Sequence, residues 1–216
     1  MTALIDLDSV LYKAVYKIVS ISDMREAIRK YGKQSAKQWL KEEVYNEGIN
    51  RCENELLKMQ YFLQNIFFEE INAYEIFITT CTNSFRKQLS KTYKSNRKKN
   101  KYVWMLREHY RHNDARCSDR LEADDLIAIK AKELGDGNFI IVSPDKDLKQ
   151  IGGYFWSQML IGDSSDNIKG VKGIGVKKAD KILESTKSPK IAVARAYIKS
   201  NQKEDYKINY QLLKLG

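Results

Sequence analysis

Two pairs of aspartates, Asp145 with Asp147 and Asp163 with Asp166, lie close together in the chain and run into a glycine-punctuated stretch, Gly170-Val-Lys172-Gly173-Ile-Gly175. Crowded carboxylates repel one another unless a cation joins them, and oxygen donors suit hard divalent ions. Backbone N–H groups freed by glycine turns at a helix start can hold a phosphate. A third acidic group, Glu122-Ala-Asp124-Asp125, opens an amphipathic stretch in which Glu122 and Asp125, three apart, share a helical face. The helix dipole favours acids in a first turn, which accounts for one or two of these but is a weaker account of three. A fourth acid, Asp6, ends an apolar run. Acid clusters beside a phosphate grip imply a metal-dependent enzyme acting on a nucleic-acid backbone.

The elements that must position these groups follow from the apolar patterning. Thr2 to Leu7 is expected to be a strand entering a helix, with Asp8 or Ser9 as its N-cap. From Ile21 to about Ile71 the spacing is helical, and the aromatic stripe from Phe62 to Phe68 is expected in the core. Tyr74 to Thr80 and Asn138 to Ser143 are expected strands, Leu121 to Leu134 a helix, Tyr154 to Gln158 an edge strand, and Ala192 to Leu215 a last helical stretch. Strands joined by helical crossovers are parallel, so the strand ends that carry Asp6 and Asp145 would converge on one sheet edge. The fold class is therefore α/β, a mostly parallel central sheet with helices on both faces.

Lys and Arg number 38 against 28 acidic residues, a net charge of +10. The excess concentrates in residues 85–116, where Arg86, Lys87, Lys91, Lys94, Arg97, Lys98, Lys99 and Lys101 interleave with Phe85, Tyr93, Tyr102 and Trp104. A charge run is usually a solvated face, but aromatic interleaving beside acidic sites suits phosphate neutralisation and base stacking. A hydrophobic share of 43% with 31% charged residues fits a folded globular chain. Cys52, Cys81 and Cys117 are too widely spaced for a disulfide framework or a CxxC site, and His109, His112 and Cys117 lack a fourth zinc ligand and are expected at the surface. No membrane span or leader is recognisable, and the expected location is the cytoplasm, the host's if the chain is phage-encoded.

Taken together, Ile5-Asp6, Phe85-Arg86, Tyr93-Lys-Ser-Asn-Arg97, Glu122-Ala-Asp-Asp125, Ser143-Pro-Asp-Lys-Asp147 and Gly162-Asp-Ser-Ser-Asp-Asn-Ile-Lys-Gly-Val-Lys-Gly-Ile-Gly175 resemble, in order and spacing, the 5′ nucleases. These are the flap endonucleases, bacteriophage 5′→3′ exonucleases and the 5′ nuclease domain of bacterial DNA polymerase I. The resemblance implies that Asp6, Glu122, Asp124, Asp125, Asp145, Asp147, Asp163 and Asp166 hold two divalent ions, magnesium or manganese. It places Lys94 and Arg97 as catalytic cations at the base of a short helical arch near 93–116. Arg86, Tyr93, Lys98, Lys99, Gly170, Lys172, Gly173, Gly175, Lys177 and Lys178 become DNA contacts, the glycines in a helix-hairpin-helix type motif that in relatives can hold a potassium ion. The implied division is a nuclease core at 1–160 and a DNA-binding module at 161–216. The implied substrate is DNA with a 5′ flap or 5′ end, with RNA–DNA primers a further candidate, cut by a monomer.

One departure from the family pattern stands out. An aspartate is expected just before Phe85-Arg86, and Cys81 takes its place, although a thiolate is a poor match for magnesium. Two alternatives therefore accompany the nuclease reading: an inactive structure-specific DNA-binding protein of the same fold, and a PIN-like ribonuclease. Against the first, an unused cluster of buried carboxylates would cost stability; against the second, such domains lack the glycine hairpin.

Overall fold

The computed structural model describes residues 1–67, 71–152 and 154–215. Three parallel strands form the central sheet: β1 (Thr2–Asp6), β2 (Ala73–Phe77) and β3 (Phe139–Val142), in the order β2-β1-β3. Leu4 pairs with Glu75 on one side and Ile141 on the other, so β1 is buried between neighbours. Its side chains alternate as a pleated strand requires. Ile5 joins a core with Leu7, Val10, Leu11, Cys52 and Leu106, while Leu4 packs with Phe77, Ala123 and Ile127 on the other face.

Helices α1 (Asp8–Ala14), α2 (Ile21–Phe67) and α4 (Lys101–Arg111) cover the first face, and α5 (Ala123–Leu134) covers the second, with the short α3 (Phe85–Leu89) between α2 and α4 in sequence. Asp8 is the first residue of α1 and Leu7 its cap, so neither Asp8 nor Ser9 acts as the N-cap. Instead, Asp8 Oδ1 accepts Arg107 Nε at 2.9 Å, tying α1 to α4.

The backbone of Gly32 (φ 76°, ψ 165°) breaks α2, and the part after it, 33–67, runs about 50 Å at ~1.5 Å per residue. A five-residue strand covers only about 17 Å. Much of the helix therefore has no sheet to pack on, and the aromatic stripe expected in the core starts in the open: Phe62 is 62% exposed, beside Tyr61 at 71%. Phe67 still packs beside Leu63 and Ala3, and Phe68 lies outside the described residues.

Past β3, a 3-10 turn (Asp147–Gly152) leads to α6 (Phe155–Ile161), where the sequence pattern had an edge strand. Met159 and Leu160 are fully buried from this helix against Val193, Tyr197, Leu212 and Leu213. A two-stranded hairpin, β4 (Gly162–Asp163) with β5 (Ile168–Lys169), then precedes α7 (Val176–Glu184), α8 (Pro189–Lys199) and α9 (Lys203–Leu213). The second core thus begins at α6, a few residues ahead of position 161. No helix among the described residues is long and apolar enough to cross a membrane.

Candidate active site

The C-terminal ends of β1 and β3 deliver carboxylates to one sheet edge, where ligands collect in open α/β sheets. Ser143, just past β3, joins the two ends: its hydroxyl donates to Asp6 Oδ2 at 2.6 Å and accepts the Asp145 N–H at 3.0 Å. Asp147 N–H in turn donates to Asp145 Oδ1 at 2.9 Å. Asp124, in the first turn of α5, completes the group. Oxygens of Asp124, Asp145 and Asp147 all lie within 4.8 Å of one another, a three-carboxylate set chemically suited to a hard divalent cation.

Their mutual repulsion is visible in their acidities. Burial, reinforced by Asp8 and Asp145, pushes Asp6 up to about 6 against the opposing Ser143 hydrogen bond. Burial and then the Asp145 charge push Asp147 up to about 7, with Asp163 and Asp166 adding to it. Asp124 is raised well above the usual carboxylate range by burial and by Asp145. Crowding of this kind is relieved by a cation.

Asp163 and Asp166, from the β4–β5 hairpin, already carry cations. Lys146 Nζ is 3.1 Å from Asp163 Oδ2, and Arg97 pairs with Asp166, with Lys94 Nζ at 3.8 Å. Lys94 also lies 3.0 Å from Glu122 Oε2, which accepts the Tyr93 hydroxyl at 2.9 Å as well. Burial alone would raise Glu122, but Lys94 and Arg86 bring it below its ordinary value. The Lys94 turn is fastened to the hairpin through its own N–H to Asp166 O (3.1 Å) and through Asn167 Nδ2 to Thr92 O (3.2 Å).

Two expected site residues have other roles. Arg86 was expected on DNA, but it is 2% exposed and makes a double hydrogen bond to Asp125 at 2.5 and 2.6 Å. Its remaining hydrogen bonds go to the carbonyls of Leu212 and Lys214 near the C-terminus, so it is an internal tie and not a phosphate contact. Asp125 was expected on metal. Its two oxygens take that guanidinium, and Oδ2 also accepts the Glu122 N–H in a capping box at the start of α5. A carboxylate so engaged closes the helix end.

Tyr93 is buried, with its hydroxyl turned inward to Glu122. Lys98, Lys99, Lys172, Lys177 and Lys178 are exposed, as phosphate contacts must be. Gly173 takes φ 74°, Gly175 caps α7, and Gly170 passes so near α6 that a Cβ there would lie 2.4 Å from the Ile161 carbonyl carbon. Within the segment 98–116, α4 lies on α1 and α2 through Val103, Leu106 and Tyr110, and residues 98–100 ahead of it are exposed. His109 is not a surface group; it lies 2.9 Å from the Tyr45 hydroxyl and is half-buried.

Gln158 carries no motif, yet it is 1% exposed and its amide donates to both Asp147 (2.6 Å) and Asp163 (3.3 Å). With Ser157 it forms a polar break in the otherwise apolar run of α6, which is the only signal of it in the sequence. Cys81 is buried, and burial followed by the Glu122 charge pushes its thiol up to about 11.

No protein-family model matches the sequence. The whole chain nevertheless superposes on solved proteins of bacteriophage T5. A T5 protein co-crystallised with metal ions gives a TM-score of 0.62 at 15% identity, over 99% of this chain and 89% of that one. A T5 flap endonuclease in a pseudo-enzyme–product complex with DNA and metal ions gives 0.62 at 14% identity over the same shares. The chain has the 5′ nuclease fold. T5 5′-exonuclease with bound zinc has it too, at a TM-score of 0.59 and 13% identity, over 99% of this chain and 89% of that one. In sequence, DNA polymerase I of Borreliella burgdorferi is 34% identical over 100 aligned residues, covering 31% of this chain and 11% of the polymerase. The match therefore spans about a tenth of that larger protein. Within the 5′ nuclease fold, the carboxylate group stands at the C-terminal edge of the parallel sheet.

Proposed function

We propose that this chain is a divalent-metal-dependent 5′ nuclease that hydrolyses DNA phosphodiesters at 5′ ends and 5′ flaps, in replication or repair. The observation that carries the reading is the Asp124, Asp145 and Asp147 group, with oxygens within 4.8 Å, at the C-terminal sheet edge of this fold. Asp124, Asp145 and Asp147, with Asp6 beside them, would hold one magnesium or manganese ion, and Asp163 and Asp166 a second. Such ions supply Lewis-acid polarisation of the phosphodiester and neutralise its charge. The protein's own part is positioning. Lys94, held by Glu122, and Arg97, held by Asp166, present positive charge to the developing phosphorane-like oxygens. Exposed Lys98 and Lys99 would guide the 5′ strand, while Lys172, Lys177 and Lys178 would grip duplex backbone at the α7 start.

The deciding experiment is cleavage of a 5′-labelled flap duplex with magnesium, manganese or EDTA. Metal-dependent release of short 5′ fragments is expected, with at least a hundredfold loss in Asp145→Ala and no loss of flap binding. A second reading, the inactive DNA-binding protein, is favoured by Cys81, whose buried protonated thiol cannot replace a carboxylate on a hard cation. Tight flap binding with no cleavage in either metal would select it.

A further inference from the structure

If the chain is a two-metal nuclease, one cation at its site is left without a task. Lys146 lies between Asp145 and Asp147 in sequence, but its ammonium reaches Asp163 Oδ2 at 3.1 Å. A carboxylate offers about four lone-pair positions. In Asp163 all four are engaged: Oδ1 accepts Ser165 N–H (2.9 Å) and Ser165 Oγ–H (2.5 Å), and Oδ2 accepts Gln158 Nε2 (3.3 Å) and Lys146 Nζ. Three of these donors are fixed in place. The Ser165 pair belongs to the tight turn that Asp163 itself begins, and Gln158 is 1% exposed and braced by Asp147 and Gln150. Lys146 alone is on a flexible stem with 47% of its side chain open to solvent.

The two acidic groups differ in this respect. Asp163 and Asp166 carry Lys146 and Arg97, whereas Asp124, Asp145 and Asp147 have no ammonium or guanidinium within salt-bridge distance among the described residues. We propose, on the strength of the nuclease reading, that Lys146 is the resident counter-cation of Asp163 and must be displaced before a second divalent ion can use that carboxylate. Loading is then ordered. The first ion enters the open Asp124–Asp145–Asp147 group, and the second binds weakly because it competes with a tethered ammonium. Lys146 is on this account a positioning residue that sets the affinity of the second site.

Calorimetric titration of the full chain with manganese, without DNA, separates the two steps. Lys146→Met removes the charge and keeps the stem, while Lys146→Arg keeps the competitor. In the Met variant the weaker step is expected to tighten about fivefold, the equivalent of about 1 kcal/mol for an ion pair open to solvent on its lysine side, with a smaller change in the tighter step. The Arg variant should stay within about twofold of the wild type in both. An unchanged or weakened second step in the Met variant overturns the proposal, as does equal tightening of both steps, which would be a general charge effect. Absence of a second step in every protein overturns it too, since a site guarded only by Lys146 must open when the lysine is gone. Absence of any manganese binding at all would instead remove the nuclease reading beneath it.

Discussion

Arg86 commits four hydrogen bonds to the interior, two to Asp125 and one each to the carbonyls of Leu212 and Lys214, and lies 3.6 Å from Glu122. Removing one partner of a buried ion pair leaves an uncompensated charge at a cost of about 3–5 kcal/mol. Arg86→Met is accordingly expected to lower the urea midpoint sharply, while Lys98→Ala, at an exposed position, weakens DNA binding and leaves the midpoint unmoved. An Arg86 variant with native stability and lost DNA affinity would reverse the assignment. Nothing in residues 85–99 distinguishes the buried guanidinium from its exposed neighbours, because its carbonyl partners lie more than a hundred positions away in sequence. The carboxylates were legible for the opposite reason. Asp6 ends one apolar run and Asp145 lies a few residues past another, both runs had to be strands, and the parallel pairing of those strands brought the two acids together.

At the scale of elements, the hairpin that carries Asp163 and Asp166 depends on how closely two pieces of backbone approach. A Cβ at Gly170 would stand 2.4 Å from Leu160 O and 2.5 Å from Gly162 N, and backbone cannot yield as a side-chain tip can. Gly170→Ala should therefore destabilise by about 2–3 kcal/mol and loosen the second acid pair. Gly173→Ala meets no atom within 4 Å and bears only the cost of φ +74°, about 1–2 kcal/mol. Equal effects of the two substitutions, compared by thermal melting, would mean that backbone conformation and not close approach governs the hairpin. The glycines were readable as a motif; α6 beside them was misread. Tyr154, Phe155 and Trp156 have strand propensity, but propensity in strands mostly reflects packing against neighbours. Here Met159 and Leu160 find their neighbours in α8 and α9, so a helix forms. The stripe on α2 failed for a related reason: spacing identifies a helix face but cannot say whether anything lies opposite it.

Across the whole molecule, the crowded acid group costs stability that a bound cation would relieve, and the sign of its pH dependence follows from Asp6. Its folded value, about 6, lies above the unfolded 3.8, so between these the native state binds more protons than the unfolded chain. Stability from this residue therefore falls as pH rises from about 4 to 7, by about 3 kcal/mol for a rise of about two pH units at ~1.4 kcal/mol each. Glu122 and Asp163 shift downward and act in the opposite sense, and the net charge of +10 adds a background of its own. Comparison with Asp6→Asn cancels that background, because the amide can still accept from Ser143 but cannot ionise. Without metal, the Asn variant is expected to be more stable than the wild type by about 2–3 kcal/mol at pH 7.5, with most of the gap gone by pH 4. Excess magnesium should narrow the gap at pH 7.5 by stabilising the wild type, which keeps the Asp6 charge, more than the variant. A gap that does not change with pH would mean that Asp6 is held by its hydrogen bonds alone, and that the crowding of acids at this sheet edge has no cost for a cation to relieve.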